Sequence, residues 1–403
     1  MPRPTPPSPA HGEPGTFGPP ACIEDAVPSP ASAPTPAFAR PASPAPAPTR
    51  ASASTRAPVA ASVAAALLLA ALAAAPARAQ RLVVLNKSAH EAALVDPVRL
   101  EVTHRLPTGK GPHEVAVSPD GRRAYVSDYG AVAVFREGGS PRYEPGRTIT
   151  VLDLERRAVA DTFDLGEYRG PHGIRVSRDG ARVWVTCERN RAVLELDAAS
   201  GEVLHAWETG QEVSHMVVAT PDERRLCVAN IGSGSVTVID RASGAVRSHA
   251  TGAGAEGIDV SPDGREVWVT NRSANTLSVL DVARDSVVAT LDAGGRFPIR
   301  ARFTPDGREV WVSNAQSNQV AVFDARTRER LATVDVGRVP VGIEITPDGR
   351  RVFVANTNDD RVTVIDARTR KVAGTFAPGE EPDGMAWAPA PQAPGRSAAP
   401  RSK

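Results

Sequence analysis

Little in this chain of 403 residues points to covalent stapling, a membrane bundle or a polyanionic partner. It has 3 cysteines and 3 methionines, aromatic residues make up 4% of it, and 47 basic residues face 46 acidic ones. So few cysteines exclude the disulfide framework that small secreted domains rely on. A net charge of +1 gives no global attraction to nucleic acid or an anionic surface, so no nucleic-acid partner is expected. No Cys-x-x-Cys-His occurs, which excludes c-type haem attachment, and the 5 tryptophans form no evident platform for a stacked quinone cofactor. Long hydrophobic runs are confined to Val59 to Ala75.

That run organises the N-terminal part. Residues 1–55 are Pro, Ala, Ser and Thr with little else, a composition that cannot bury enough apolar surface to order itself. Arg56, the apolar run and Pro76-Ala77-Arg78-Ala79 then read as a secretory signal peptide over 56–79, cleaved after Ala79, in preference to a membrane anchor. No Cys follows the site, which argues against a lipoprotein. A periplasmic or secreted protein with no membrane span after cleavage is expected, and translation is expected to start near Thr55 to Val59. Of the cysteines, Cys187 and Cys227 remain after cleavage. Their repeat positions differ by three residues, an odd offset that puts them on opposite strand faces, so two free buried thiols are expected. Residues 391–403 read as a disordered tail.

Between these ends the chain echoes itself. Ser118-Pro119-Asp120-Gly121 returns as Ser177-Arg178-Asp179-Gly180, Thr220-Pro221-Asp222-Glu223, Ser261-Pro262-Asp263-Gly264, Thr304-Pro305-Asp306-Gly307 and Thr346-Pro347-Asp348-Gly349, with a degenerate copy at Ala388-Pro389. The steps are 59, 43, 41, 43, 42 and 42 residues. A period near 42 with strand-like patterning is the period of a propeller blade. Within one period, Ile258 to Ser261, Val267 to Asn271, Leu277 to Asp281 and Ser286 to Leu291 read as four strands around a Pro-Asp-Gly turn. The predicted fold over 80–390 is all-β, a seven-bladed propeller of four-stranded antiparallel blades. Leu82–Asn86, Ala92–Asp96 and Arg99–Leu106 supply three strands of the last blade and Gly384–Ala388 the fourth, so N- and C-terminal strands close the ring and remove the exposed edge.

Tyr125-Val126-Ser127-Asp128, Trp268-Val269-Thr270-Asn271 and Phe353-Val354-Ala355-Asn356 resemble the YVTN-type propeller repeat of YncE-like proteins. The resemblance covers about residues 81–390. It implies an exported bacterial propeller, and some relatives accompany quinoprotein oxidation systems.

Function is sought where blades depart from the repeat. The Asp that ends each third strand, at 96, 153, 197, 240, 281, 324 and 366, is shared by all blades and reads as a turn cap. The residue five before each Ser/Thr anchor instead varies: His113, His172, His215, Glu256, Ile299, Val341 and Asp383. Asp383, His113, His172, His215 and Glu256 fall on consecutive blades and are expected around one mouth of the channel, with Glu114 and Arg300 one residue further along. Three imidazoles flanked by carboxylates suit a divalent transition metal on His113, His172 and His215, an anion when protonated, or acid–base work; a solvated funnel is the alternative. Blade 1 also uses 25 residues from Asp128 to Asp153 where others use 10, which predicts a lid loop carrying Tyr129, Phe135, Arg136 and Tyr143 beside the histidines. Arginines after the turns, Arg265 and Arg308 among them, read as a solvated opposite face. The expectation is a monomeric binding propeller that engages a small molecule, metal or protein partner at its top face. Its alternatives are a metal-dependent lyase or hydrolase using His113, His172, His215 and Glu256, and an accessory protein of a quinoprotein system. A six-bladed lactonase is disfavoured because seven repeats are counted.

Overall fold

A computed structural model describes residues 80–130 and 144–391; the segments read as leader and signal peptide, the expected tail beyond residue 391 and most of the expected lid loop lie outside these. The described chain forms 28 strands in seven four-stranded antiparallel sheets. Blade 1 begins at Pro112, blade 2 at Pro171, blade 3 at Ser214, blade 4 at Ala255, blade 5 at Pro298 and blade 6 at Pro340. Blade 7 joins Pro382–Ala388 to Arg81–Asn86, Glu91–Asp96 and Glu101–Pro107. Its closing register pairs Leu82 with Trp387 and Val84 with Met385, so the split blade is present, with its inner strand two residues longer than expected.

Burial explains the strand sequences. Second strands such as Val267-Trp268-Val269-Thr270-Asn271 are buried throughout, because both faces meet neighbouring blades, and they read as continuous apolar runs. Outer strands such as Ala158–Asp164 are mostly exposed. Tyr125, Trp184, Trp268, Trp311 and Phe353 hold the same place on their blades and are fully buried between them. Their polar atoms are paired: Trp268 Nε1–H donates to Glu266 at 3.1 Å and the Tyr125 hydroxyl to the Ala198 carbonyl at 2.8 Å.

The shared Asp residues are turn caps. Asp153 accepts from the backbone N–H groups of Glu155 and Arg156, and Asp197 from those of Ala199 and Ser200. The turn-face arginines find local carboxylates, as Arg328 does with Glu266 and Arg370 with Glu309. Cys187 and Cys227 are free and buried, and burial pushes the Cys227 thiol up to about 12. Among the described residues no helix is long and apolar enough to cross a membrane.

Each inner strand carries a bulge near its start, visible as a register shift, for example between Pro112 and Val115 or Pro171 and Ile174. A bulge leaves residues out of the ladder and re-aims their side chains, and the variable histidines and carboxylates sit there. The Ser/Thr of the second strand repairs the break. Thr186 Oγ1 accepts the Gly173 N–H at 2.9 Å and donates to the His215 carbonyl of the next blade at 2.6 Å. Ser127 and Ser313 make the equivalent clips. Blades come so close here that a Cβ on Gly342 would lie 2.1 Å from the Asp383 carbonyl oxygen.

Candidate functional site

The second residue of every inner strand faces the same end of the channel, so the bulges gather Asp383, His113, His172, His215 and Glu256 into one sector. Ile299 and Val341 complete the ring as an apolar arc with Ala315. The rings of His113 and His172 stack with centroids 4.8 Å apart, and those of His172 and His215 lie 3.7 Å apart. The sector is packed, not an open funnel: His172 is 4% exposed and Asp383 3%.

A second set of residues completes the site; of these, Tyr129 was expected as part of the long loop, and Lys87, Glu188 and Arg272 were not anticipated from the sequence. The residue just after each second strand also reaches the mouth: Lys87, Tyr129, Glu188 and Arg272 on blades 7, 1, 2 and 4. Lys87 Nζ lies 3.0 Å from Asp383 Oδ2, which also meets His113 Nδ1 at 3.1 Å. Tyr129 sets its ring edge-on to His113 and His172, at 4.8 and 5.2 Å, and its hydroxyl donates to Glu188 Oε2 at 2.6 Å. Glu188 Oε1 lies 2.5 Å from His215 Nδ1. His215 Nε2 is 3.7 Å from Glu256 Oε1, and Arg272 holds the other oxygen of Glu256 at 2.7 Å. Aligning that single column one residue past the repeated motif would have exposed Lys87, Glu188 and Arg272, because its other members Tyr129, Ile231, Ala315 and Thr357 carry no charge.

Of the expected lid residues, Tyr129 is at the site; Phe135, Arg136 and Tyr143 lie outside the described residues. Glu114 and Arg300 form a tier below the mouth. Their side chains pair across the channel from blades 1 and 5, over a cavity of about 230 Å³ that Arg175, Arg302 and Glu344 also line. The expected metal set changes as well. The donor atoms that fall within 4.8 Å of one another belong to His172, Glu188 and His215; His113 is engaged by Asp383 instead.

Burial dominates the electrostatics. It holds His113, His172 and His215 well below the ordinary histidine range, helped by Lys87 at His113, by the neighbouring imidazoles at His172, and by Arg300 and Arg272 at His215. All three imidazoles are therefore neutral near pH 7, which disfavours the protonated anion site. Burial likewise raises Glu188 and Glu256. It would raise Asp383 too, but the charges of Lys87 and Arg300 outweigh it and keep that carboxyl low. Neutral buried imidazoles can ligate a metal or accept a proton.

Comparison with known proteins places this geometry in context. The family model described as lactonase, 7-bladed beta-propeller, matches residues 81–336 and 302–382. Protein NirF of Pseudomonas aeruginosa is 30% identical over 199 residues, 46% of this chain and 46% of NirF; the match thus spans about half the length of that curated relative. Among solved structures, hydrazine synthase of Kuenenia stuttgartiensis superposes with a TM-score of 0.62 at 22% identity, over 71% of this chain and 92% of that one. The periplasmic gluconolactonase of Pseudomonas aeruginosa does so with a TM-score of 0.63 at 20% identity, over 77% and 99%.

Proposed function

Because the chain belongs to the family of seven-bladed lactonase β-propellers, we propose that it is a ligand-binding propeller that holds a small polar molecule or ion in the polar sector of its mouth. The observation that carries this reading is a pair of orphaned atoms. His172 Nδ1 and Asp383 Oδ1 are buried without hydrogen-bond partners among the described residues. A buried polar atom left unpaired costs about 1–3 kcal/mol, and such atoms persist where a ligand, ion or water completes them. A hydroxyl-bearing ligand suits both, since a hydroxyl donates and accepts. The protein acts as a monomer in the periplasm or outside the cell. The Ala-x-Ala site before Gln80 supports export, and the gluconolactonase it is similar to is periplasmic.

The test is calorimetric titration of the full chain with sugar acids, sugar lactones and polyols. The expected result is a ligand whose affinity falls at least tenfold in His172→Ala while circular dichroism is unchanged. If no compound binds, or if His172→Ala and His113→Ala bind every compound like the parent, the reading fails.

Hydrolysis of a lactone ring is a second reading, favoured by the three neutral imidazoles. A neutral imidazole can take the proton from a water that attacks the lactone carbonyl and hand it to the ester oxygen as the acyl C–O bond breaks, which opens the ring to the hydroxy acid and restores the neutral imidazole. Gluconolactone hydrolysis no faster than the spontaneous rate, across the substrates that bind, would remove it.

A further inference from the structure

We infer that His172, Glu188 and His215 hold one divalent transition-metal ion of zinc's chemical character in the packed polar sector of the mouth. The inference rests on the reading of this sector as a ligand site and names the ligand class. Nitrogen and carboxylate donors in a two-to-one ratio are a set that zinc and its first-row neighbours accept, and three protein ligands leave room for water or substrate.

Charge is the first argument. Four carboxylates line the region, and three have a cationic partner: Asp383 has Lys87, Glu256 has Arg272 and Glu114 has Arg300. Among the described residues Glu188 has no Lys or Arg ion pair; it meets His215 and the Tyr129 hydroxyl. Arg189 and Arg272 attract Glu188 only without direct contact, and burial outweighs them; a buried carboxylate so weakly compensated is costly, and a bound cation supplies the missing charge. The tier below, Arg175 and Arg302 with Asp259 and Glu344, is balanced by itself.

Geometry is the second. The three donor atoms already lie within 4.8 Å of one another. Metal bonds of about 2.0–2.2 Å place tetrahedral ligands roughly 3.5 Å apart, so on binding the widest separations close by about an ångström while the Glu188–His215 pair, now at 2.5 Å, opens by about as much, through side-chain torsions of Glu188 and the rings. His172 supplies the orphaned buried nitrogen. The outer partners fit as well. A ligating histidine commonly turns its second nitrogen to a carboxylate; with His215 Nδ1 toward Glu188, its Nε2 faces Glu256, which Arg272 fixes. Tyr129 orients the free oxygen of Glu188 in the same way.

The experiment uses full-chain protein purified without an affinity tag. Metal content is measured as isolated, then after chelation and titration with Zn²⁺ and Co²⁺, and the wild-type metal site is probed by X-ray absorption. About one ion per chain is expected, with two imidazole nitrogens and carboxylate oxygen in the fitted shell. Affinity should fall at least tenfold in His172→Ala and Glu188→Gln and hold within a few-fold in His113→Ala. The wild-type absorption data decide the ligand set even if a variant misfolds. A shell with three imidazoles, loss of metal in His113→Ala alone, or no Zn²⁺ or Co²⁺ binding by folded protein overturns the inference. If metal-free protein still binds a sugar acid or lactone, the ligand-site reading survives that failure; if it binds neither, both fall.

Discussion

Replacing Asp128 by Asn should stabilise the propeller, and by an amount that depends on pH. Asp128 ends the second strand of blade 1, where Asn86, Asn230, Asn271, Asn314 and Asn356 stand in other blades. Its Oδ2 accepts from the hydroxyls of Thr148 and Thr150, each at 2.8 Å, and Oδ1 from the Gly109 N–H at 3.0 Å. Burial outweighs these bonds and pushes its pKa from 3.8 to about 6. A rise of roughly two pH units is worth about 3 kcal/mol. The folded state therefore holds more protons than the unfolded state between pH 3.8 and about 6. The stability tied to the protonated carboxyl is full below that window and is lost as pH rises through it. An Asn stays neutral. Its amide can donate to the Thr hydroxyls, as Asn271 donates to Thr276 at 3.0 Å and Ser278 at 2.9 Å, while its oxygen keeps the Gly109 N–H. Asp128→Asn should thus gain about 2–3 kcal/mol at pH 7 to 8 and close to nothing at pH 4. Urea unfolding followed by tryptophan fluorescence at each pH measures the difference. A variant less stable than the parent at pH 7, or a gain of equal size at pH 4 and pH 7, would refute the reasoning.

Two further outcomes are expected of the scaffold. Thr186→Val removes the hydroxyl that joins the Gly173 N–H to the His215 carbonyl; it should cost about 2 kcal/mol in denaturant unfolding, and a loss under a few tenths would remove the inter-blade clip from the account. Deleting residues 384–403 takes most of the inner strand from blade 7 and exposes the edge of Arg81–Asn86. The melting temperature should drop sharply, whereas an unchanged one would contradict closure by the two termini.

Most of the architecture was legible because it is local and periodic. Turn chemistry at Pro-Asp-Gly and the apolar second strands repeat every 42 or so residues, and the split blade follows from the lone first strand at the C-terminal end. The repeated Asp residues were legible too, since a residue needed by every blade serves the blade. The site was legible by half. Counting back from the Ser/Thr anchors found the column of His113, His172, His215, Glu256 and Asp383. Tyr129 was reached through the long loop, but Lys87, Glu188 and Arg272 in the same column were passed over because the end of one strand and the start of another, on the same or the next blade, become neighbours only when the sheets stack.

The sequence by itself determined the fold, the membership of each blade position and the sector in which polarity departs from the repeat, because these depend on spacing along the chain. Only the tertiary structure decided which polar groups meet. Ring closure sets Glu114 against Arg300 across the channel, the bulges fill the mouth with side chains, and burial makes the imidazoles neutral. That same packing pairs His113 with Asp383 and, among the described residues, leaves Glu188 without a Lys or Arg ion pair, because partner choice depends on the distances between blades.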